Sequence, residues 1–390
     1  MLSNNDGCVI SRSQEAKDIG IPMGAPAHQY QKMFDKNRIE VFSSNYQLYA
    51  DMSNRVMKIL STYSPDQEIY SIDECFLKFE GFERYDLTNY GQEIKTKILQ
   101  CTKLPVCVGI APTKALAKLA NHIAKKFPQF HQGVYTIKTE EQIFKALKWA
   151  DIEEVWGIGR RFSKRLRMIG VHKALDFVNL EDEYIRKEFS VVGLRLKKEL
   201  LGESVLDLDM ISPKKRIATT RSFEKYTNDF EYVKERVSTF AVSCAEKLRK
   251  QNSSCNLLTL FIQTNPFDKE KAQYYRTISI HLPYQSNSSI TLSKVAVRAF
   301  EQIYKDGYAY KKAGIIVSGL VPEDQRQLSL FEEENTHHPN LMKAMDVLNK
   351  KFGAAKVKLA SQDLDRTWKM RQECLSPCYT TKWKDLLIVY

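Results

Sequence analysis

Apolar positions along the chain change period several times, and each change marks an element. Asn45 to Thr62 carries Leu48, Met52, Val56 and Leu60 at helical spacing, and Pro65 closes the segment. Upstream, the turn signal Asn4-Asn5-Asp6-Gly7 precedes a helical pattern from Ser11 to Ile19 that Gly20 ends. A run of β-formers spans Ile69 to Leu77. It is followed by a helix over Asp86 to Leu99, a strand over Val106 to Ile110 and a lysine-bearing helix over Thr113 to Lys126. Strands alternating with helices predict an α+β or α/β catalytic unit. Beyond Gly133 the pattern turns to short helices. A proline-containing linker at Ile211-Ser212-Pro213 leads into strands at Leu257 to Thr264, Arg276 to Leu282 and Ala313 to Leu320. Helices around Val233 to Lys250 and Ser293 to Tyr304 complete a small α+β domain.

One strand-like run breaks its own pattern. Ile69-Tyr70-Ser71-Ile72-Asp73-Glu74-Cys75-Phe76-Leu77 carries two adjacent carboxylates. Burying an unpaired carboxylate costs several kcal/mol, so a pair inside a β-rich stretch calls for a cation. Magnesium, which combines one or two carboxylates with substrate phosphates, suits the Asp73-Glu74 pair and points to phosphoryl or nucleotidyl transfer. The alternative is a hairpin tip with solvated acids, because adjacent strand residues face opposite ways unless a turn intervenes.

Length and charge narrow the class. A chain of 390 residues exceeds one compact core and implies roughly two to four domains. The net charge is +12, and residues 211–320 hold 18 Lys or Arg against 9 Asp or Glu. Such clustering is the footprint of a polyanion partner, nucleic acid before membrane, since no apolar run approaches a membrane span. The alternative is a merely soluble basic surface. Eight cysteines lie scattered without a Cys-x-x-Cys pair, which argues against zinc. Asn4, Asn5 and Asp6 stand where a signal peptide needs an apolar core, so a cytoplasmic protein with reduced thiols is expected.

Two further motifs carry binding chemistry. Val155-Trp156-Gly157-Ile158-Gly159-Arg160-Arg161 precedes a cationic amphipathic helix with Lys164, Arg165, Arg167, Leu166 and Ile169, and reads as a helix-hairpin-helix. Its glycines admit a phosphate close to the backbone, and the helix N-terminus attracts the anion. A simple helix turn is the plainer reading. Within the polar stretch from Val321 to Asn340, Gln327-Leu328-Ser329-Leu330-Phe331 is an apolar island before Glu332-Glu333-Glu334. It reads as a docking peptide or as cover for the protein's own core.

Together these stretches resemble the Y-family of translesion DNA polymerases, and within it the UmuC branch. The resemblance rests on Leu2 to Ile10, Phe42 to Met57, Tyr70 to Glu74, Val108 to Lys114, Leu116 to Asn121, Val155 to Arg161, Gln327 to Phe331 and Leu375 to Leu387. It implies an α+β multidomain right-hand architecture. The fingers cover residues 1–44, a ferredoxin-like palm 45–130 and a helix-hairpin-helix thumb 134–205. An α+β little finger covers 214–320, and a clamp-binding peptide with a regulatory tail 321–390. It also implies an error-prone, template-directed polymerase subunit of the SOS damage response. Asp73 and Glu74 are then ligands of two magnesium ions, and Ser11, Lys17 and Lys125 contact the phosphates of an incoming dNTP. Gln14 stands where many relatives have a phosphate-binding tyrosine. Gly157, Gly159, Arg160, Arg161, Lys164 and Arg221 are expected on primer-template DNA. Gln327, Leu328, Ser329, Leu330 and Phe331 are expected on a sliding clamp, with a UmuD′-like subunit and a RecA-like filament as further partners and no membrane.

The family's first strand, Asp-x-Asn-x-Phe-Tyr, supplies another metal ligand and the steric gate, and no such motif occurs here. Met1-Leu2 aligns with the second strand, so about one strand-helix unit of the family, on the order of 30 residues, is expected to be absent from this sequence. The chain alone is therefore expected to extend primers only in trace. The alternative is a catalytically silent relative that binds DNA and the clamp.

Overall fold

The computed structural model describes residues 1–209, 213–327, 335–353, 355–363 and 370–388. The chain forms two compact units, Met1–Ile211 with Arg371–Tyr390, and Ser212–Met370.

In the first unit the N-terminal part is a small knot. Helices Gln14–Asp18 and Ala27–Lys36 pack around Leu2, Val9, Ile21 and Phe34. Helix Tyr46–Leu60 then starts at Asn45, whose Oδ1 accepts from the Leu48 amide at 3.1 Å. This is the side-chain cap that lets a helix begin where the first amides have no backbone partner. Thr113 and Asp86 do the same for helices Lys114–Lys126 and Leu87–Thr102.

The run from Ile69 to Leu77 is not one strand. It is an antiparallel hairpin of Gln67–Ile69 with Cys75–Leu77, and the acids lie in its turn. Amides of Tyr70 and Ser71 both donate to the Glu74 carbonyl, at 3.1 and 3.0 Å, and close that turn. A second pair is parallel, Val108–Ile110 with Val134–Thr136. Among the described residues the ferredoxin-like palm sheet is thus present as two separate pairs. A cavity of about 720 Å³ is lined by residues of both, among them Phe76, Leu77, Val108 and Ile110, with Ile94 and Ile98.

Strand Val108–Ile110 lies directly against helix Lys114–Lys126. A Cβ on Gly109 would sit 2.1 Å from the Asn121 amide nitrogen and 2.3 Å from the Ala117 carbonyl oxygen. Gly109→Ala is therefore expected to lower unfolding stability by about 3 kcal/mol, at the upper end for overpacking a core. A urea midpoint equal to that of the wild type would contradict this contact.

Further helices of the unit include Pro128–His131, Glu140–Trp149, Arg160–Met168, Ala174–Val178 and Asp182–Leu200, the last broken at Ser190 (φ 63°). Their core, with Leu147, Ile152, Leu166, Phe177 and Ile185, is continuous with Leu119 and Ile123 of the lysine helix. One core therefore runs from helix Lys114–Lys126 into these helices.

The second unit is a sheet of Ile217–Thr227, Tyr310–Ser318, Ser253–Thr264 and Tyr275–Ser286, in that spatial order and antiparallel. Val321–Pro322 adds a short strand to the start of Ser253–Thr264. Helices Phe230–Lys250 and Ser289–Ile303 cover one face over Leu258, Leu260, Ile262, Phe300, Ile315 and Val317. Strand Ile217–Thr227 was not expected from the sequence, because Lys214-Lys215-Arg216 and Glu224-Lys225 mask its alternation. As an edge strand it buries only Ile217, Thr219 and Phe223. Helix His338–Phe352, which begins inside the stretch expected to be polar loop, buries Met342 and Met345.

Candidate active site and nucleic-acid surfaces

The hairpin turn brings Asp73 and Glu74 to one end of the palm. Ser71 Oγ donates to Asp73 Oδ1 at 2.6 Å and accepts from the Asp73 amide at 3.2 Å, which holds the tight bend. Asp73 is exposed and Glu74 half-buried, so the premise that both acids are buried does not hold. The cation facing them is Lys118, whose Nζ lies 2.7 Å from Glu74 Oε1. Lys118 is itself largely buried, with its ammonium 4.7 Å from the Tyr70 ring centre and 5.6 Å from that of Phe76. A cation over aromatic faces keeps its charge at low hydration. Tyr70 is fixed in turn by the Trp156 indole, which donates to its hydroxyl at 3.0 Å.

One helical turn before Lys118, Lys114 makes a second, more buried pair with Glu68 at 2.6 Å. Glu68 also accepts from the Asp209 amide at 2.8 Å, and Lys114 donates to the Asp207 carbonyl at 3.2 Å. These bonds satisfy the charges and lock the hairpin to the lysine helix. Cys75, next to Glu74, has its thiol pushed up by burial, a pull that a hydrogen bond from Gln67 only partly offsets. It stays a neutral thiol at physiological pH and is no nucleophile.

Ser11, Lys17 and Lys125 are all exposed, Lys17 in the last turn of Gln14–Asp18 and Lys125 in that of Lys114–Lys126. Among the described residues no hydrogen bond or ion pair joins them to Asp73 or Glu74. Gln14 is engaged with Asp18 at 2.8 Å.

The glycine turn is built as its composition demands. Gly157 adopts φ +94°, a conformation that side chains oppose. Gly159 caps helix Arg160–Met168 with no side chain across its end, leaving the first amides open. Arg167 is held by Glu153 at 2.6 Å, and Arg165 by Glu188. Arg160, Arg161 and Lys164 are exposed and, among the described residues, form no ion pair. Arg160 and Lys164 line a shallow depression with Gly159 and Ser163. In the second unit Arg221 is exposed, bonded to the Thr220 carbonyl, and near enough to Lys247 to add to the burial that lowers that lysine's pKa. The face of this sheet opposite the helices carries Thr259, Phe261, Ser279 and Lys312. Lys312 lies 5.8 Å from the centre of the Phe261 ring, and Phe261 is paired with Tyr275. Gln327 is exposed, its amide donating to Gln285 Oε1 at 3.0 Å. Leu328, Ser329, Leu330 and Phe331 lie outside the described residues.

Comparison with known proteins identifies the family. The impB/mucB/samB family model matches residues 1–122, and the model for that family's C-terminal domain matches 214–330. Protein UmuC of Salmonella typhimurium is 40% identical over 100% of this chain and 93% of its own length. Protein ImpB of Salmonella typhimurium is 39% identical, covering 99% of this chain and 92% of its own. The chain is a UmuC-type member of the Y-family DNA polymerases. A Y-family DNA polymerase chimera shares the fold at a TM-score of 0.65 and 20% identity, over 81% of this chain and 88% of the chimera. A domain of unknown function matches residues 339–389. Among the described residues no helix is long and apolar enough to cross a membrane.

For this Y-family member, sequence reasoning placed the acids and missed what holds them. Lys118, Tyr70 and Trp156 sit in or beside the stretches that carry the family resemblance. The available signal was the helical period, which puts Lys114 and Lys118 on one face. The donor set also bears on a metal. Among the described residues no three His, Cys, Asp or Glu converge on one point. The turn offers two carboxylates, which fits magnesium if water and substrate phosphates complete its shell.

Proposed function

We propose that the chain is the catalytic subunit of an error-prone translesion DNA polymerase of the SOS damage response. The observation that carries this is the Asp73-Glu74 turn, a pair of hard oxygen donors, one exposed and one half-buried, backed by a largely buried lysine. The chemistry a pair of divalent ions supplies when bound there is activation of the primer 3′-hydroxyl and neutralisation of the departing pyrophosphate. Lys118 holds Glu74 in place. Ser11, Lys17 and Lys125 would bind the triphosphate of the incoming dNTP, the lysines as point charges. Replacing the chromosomal gene with a deletion is expected to remove most damage-induced point mutations in the host. Unchanged mutation frequency after irradiation would overturn the proposal.

Primer-template DNA would lie against the open amides at Gly157 and Gly159, with Arg160, Arg161 and Lys164 on the backbone and Arg221 on the basic second unit. Arg160→Ala with Lys164→Ala is expected to weaken primer-template binding equally for all sequences. The slope of log affinity against log salt should become shallower by about one unit for each phosphate that the variant no longer neutralises. Fluorescence anisotropy at several salt concentrations reads both, and an unchanged slope would remove these residues from the interface.

Gln327 to Phe331 supports docking to a sliding clamp, since Leu and Phe flanked by acids suit an apolar pocket. Leu330→Ala with Phe331→Ala is expected to weaken clamp capture at least about tenfold, or 1.4 kcal/mol, with DNA binding unchanged. Equal capture of both proteins by immobilised clamp would exclude the assignment. The tail's likeness to the UmuC branch supports a UmuD′-like subunit and a RecA-like filament as further partners.

A further inference from the structure

The C-terminal segment, part of the region that matches a domain of unknown function, returns to the first unit as a ligand. The surface that receives it is the junction where the N-terminal knot enters the palm. Ser43, Ser44 and Asn45 are 0%, 3% and 2% exposed there, a burial unusual for three consecutive polar residues. Several of their polar groups bond the tail. The Ser43 amide donates to the Cys374 carbonyl at 2.9 Å, and the Cys374 amide donates to Ser43 Oγ at 3.0 Å. Gln372 Nε2 donates to the Ser44 carbonyl at 2.8 Å. Asn45 Nδ2 donates to the Ser376 carbonyl at 2.9 Å, while its Oδ1 caps the palm helix.

A second, independent feature points the same way. Asn5 and Asp6 both hold left-handed backbone, at φ 57° and 50°, which residues other than glycine rarely adopt. In that conformation Asn5 Oδ1 accepts from the Arg371 amide at 3.1 Å, and Asp6 Oδ2 accepts from the Glu373 amide at 2.9 Å. The strained turn thus presents acceptors to alternate residues of an extended peptide, as one edge of a β-strand site does.

We infer that Asn5, Asp6 and Ser43 to Asn45 form a binding site for an extended peptide, and that its ligand is the chain's own segment from Arg371 to Cys378. The site reads mostly backbone, so its specificity lies in the few side chains that enter it, Gln372 and Cys378. Because Ser43 also bridges to Leu2, and Ser44 Oγ donates to the Leu2 carbonyl, occupancy fixes the base of the N-terminal knot. The segment is a latch on that joint. This inference does not depend on the polymerase reading.

Cys378 is a natural reporter. It lies at the end of the latch, seated against Asn45 and 2% exposed, whereas Cys374 and Cys101 are exposed. Cys244 and Cys255 are buried in the second unit, where burial raises both thiols, that of Cys255 to about 12. The native full-length chain is pulsed with N-ethylmaleimide and each cysteine is followed by mass spectrometry. Cys378 should react at least about tenfold more slowly than Cys374, the protection a local opening equilibrium confers. Asn45→Asp keeps the helix-capping oxygen and replaces the donor with a carboxylate facing carbonyls. It should raise the Cys378 rate at least about tenfold while Cys75 keeps its wild-type rate. Gln372→Ala, which alters only the tail, should shift Cys378 in the same direction. The inference falls if Cys378 in the wild type reacts as fast as Cys374, or if both variants leave it protected. It falls too if Cys75 is freed along with Cys378 in both variants, because a latch releases without unfolding the palm.

Discussion

Asp73→Asn and Glu74→Gln, each placed singly in the chromosomal gene, are expected to bring damage-induced mutagenesis down to the uninduced level. Each change removes a negatively charged oxygen donor without altering shape. Whatever primer extension the chain supports when reconstituted should fall on the order of 100-fold or more, the scale seen when one preorganised transition-state partner is removed. Folding should be untouched by Asp73→Asn. Asp73 is exposed and its local partner is Ser71, so the stability change should stay within about 0.5 kcal/mol. Primer-template affinity should hold or rise slightly, because one negative charge beside a polyanion is gone. That combination separates a catalytic role from a silent DNA-binding one. If Asp73→Asn retains damage-induced mutagenesis at normal protein level, the acidic turn is not the reacting centre.

Glu74→Gln carries a second consequence through Lys118. The glutamine cannot form the ion pair, so a largely buried ammonium is left with two aromatic faces and no carboxylate. Removing one partner of such a pair usually costs more than the pair itself contributes. Glu74→Gln should therefore be less stable than Asp73→Asn, and Glu74→Gln with Lys118→Met should recover part of the difference. Equal denaturation midpoints for Asp73→Asn and Glu74→Gln would show that Lys118 is adequately solvated without its partner.

The acidic turn was legible because adjacent carboxylates between β-formers are unusual, yet the reasoning behind it was only half right. The expected cost of burial is avoided by a turn, which local hydrogen bonds from Ser71 and to Glu74 impose. Caps were readable for the same local reason: Asn45, Asp86 and Thr113 each precede a helical period and each accepts from the first turn. What escaped is set by contacts distant in sequence. Nothing near Lys118 announces Glu74, and nothing near Asn45 announces Ser376, 331 residues away. Strand Ile217–Thr227 escaped for another reason. At a sheet edge only alternate residues on one side need be apolar, and its solvent side is free to carry Lys and Glu.

The largest stability loss is expected at Glu199, far from any chemistry. It is 0% exposed, and among the described residues no ion pair reaches its carboxylate. Its charge is met by three amides: Ala115 donates to Oε2 at 3.2 Å, and Val205 and Leu206 to Oε1 at 2.9 and 3.0 Å. The Glu199 carbonyl also accepts from Thr113 Oγ1 at 2.7 Å, so the end of Asp182–Leu200 is pinned to the start of Lys114–Lys126. Glu199→Ala would leave the buried Ala115 amide and the part-buried amides of Val205 and Leu206 without their acceptor, and a void where the carboxylate stood. At about 1 to 3 kcal/mol for each orphaned group, partly relieved by water, a total loss of about 4 kcal/mol is expected. For a unit of this size that lowers Tm by roughly 8 to 16 °C. Glu199→Gln is the informative comparison. Its single oxygen can serve either Ala115 or the Val205–Leu206 pair, while its NH2 group confronts the amides it cannot accept from. It should therefore recover less than half of the loss. Calorimetry on the full chain separates the outcomes, because the transition of the second unit should not move. If Glu199→Gln matches the wild type, the three amides are not what holds this joint together, and the position of the lysine helix beneath the acidic turn must be set by the apolar core alone.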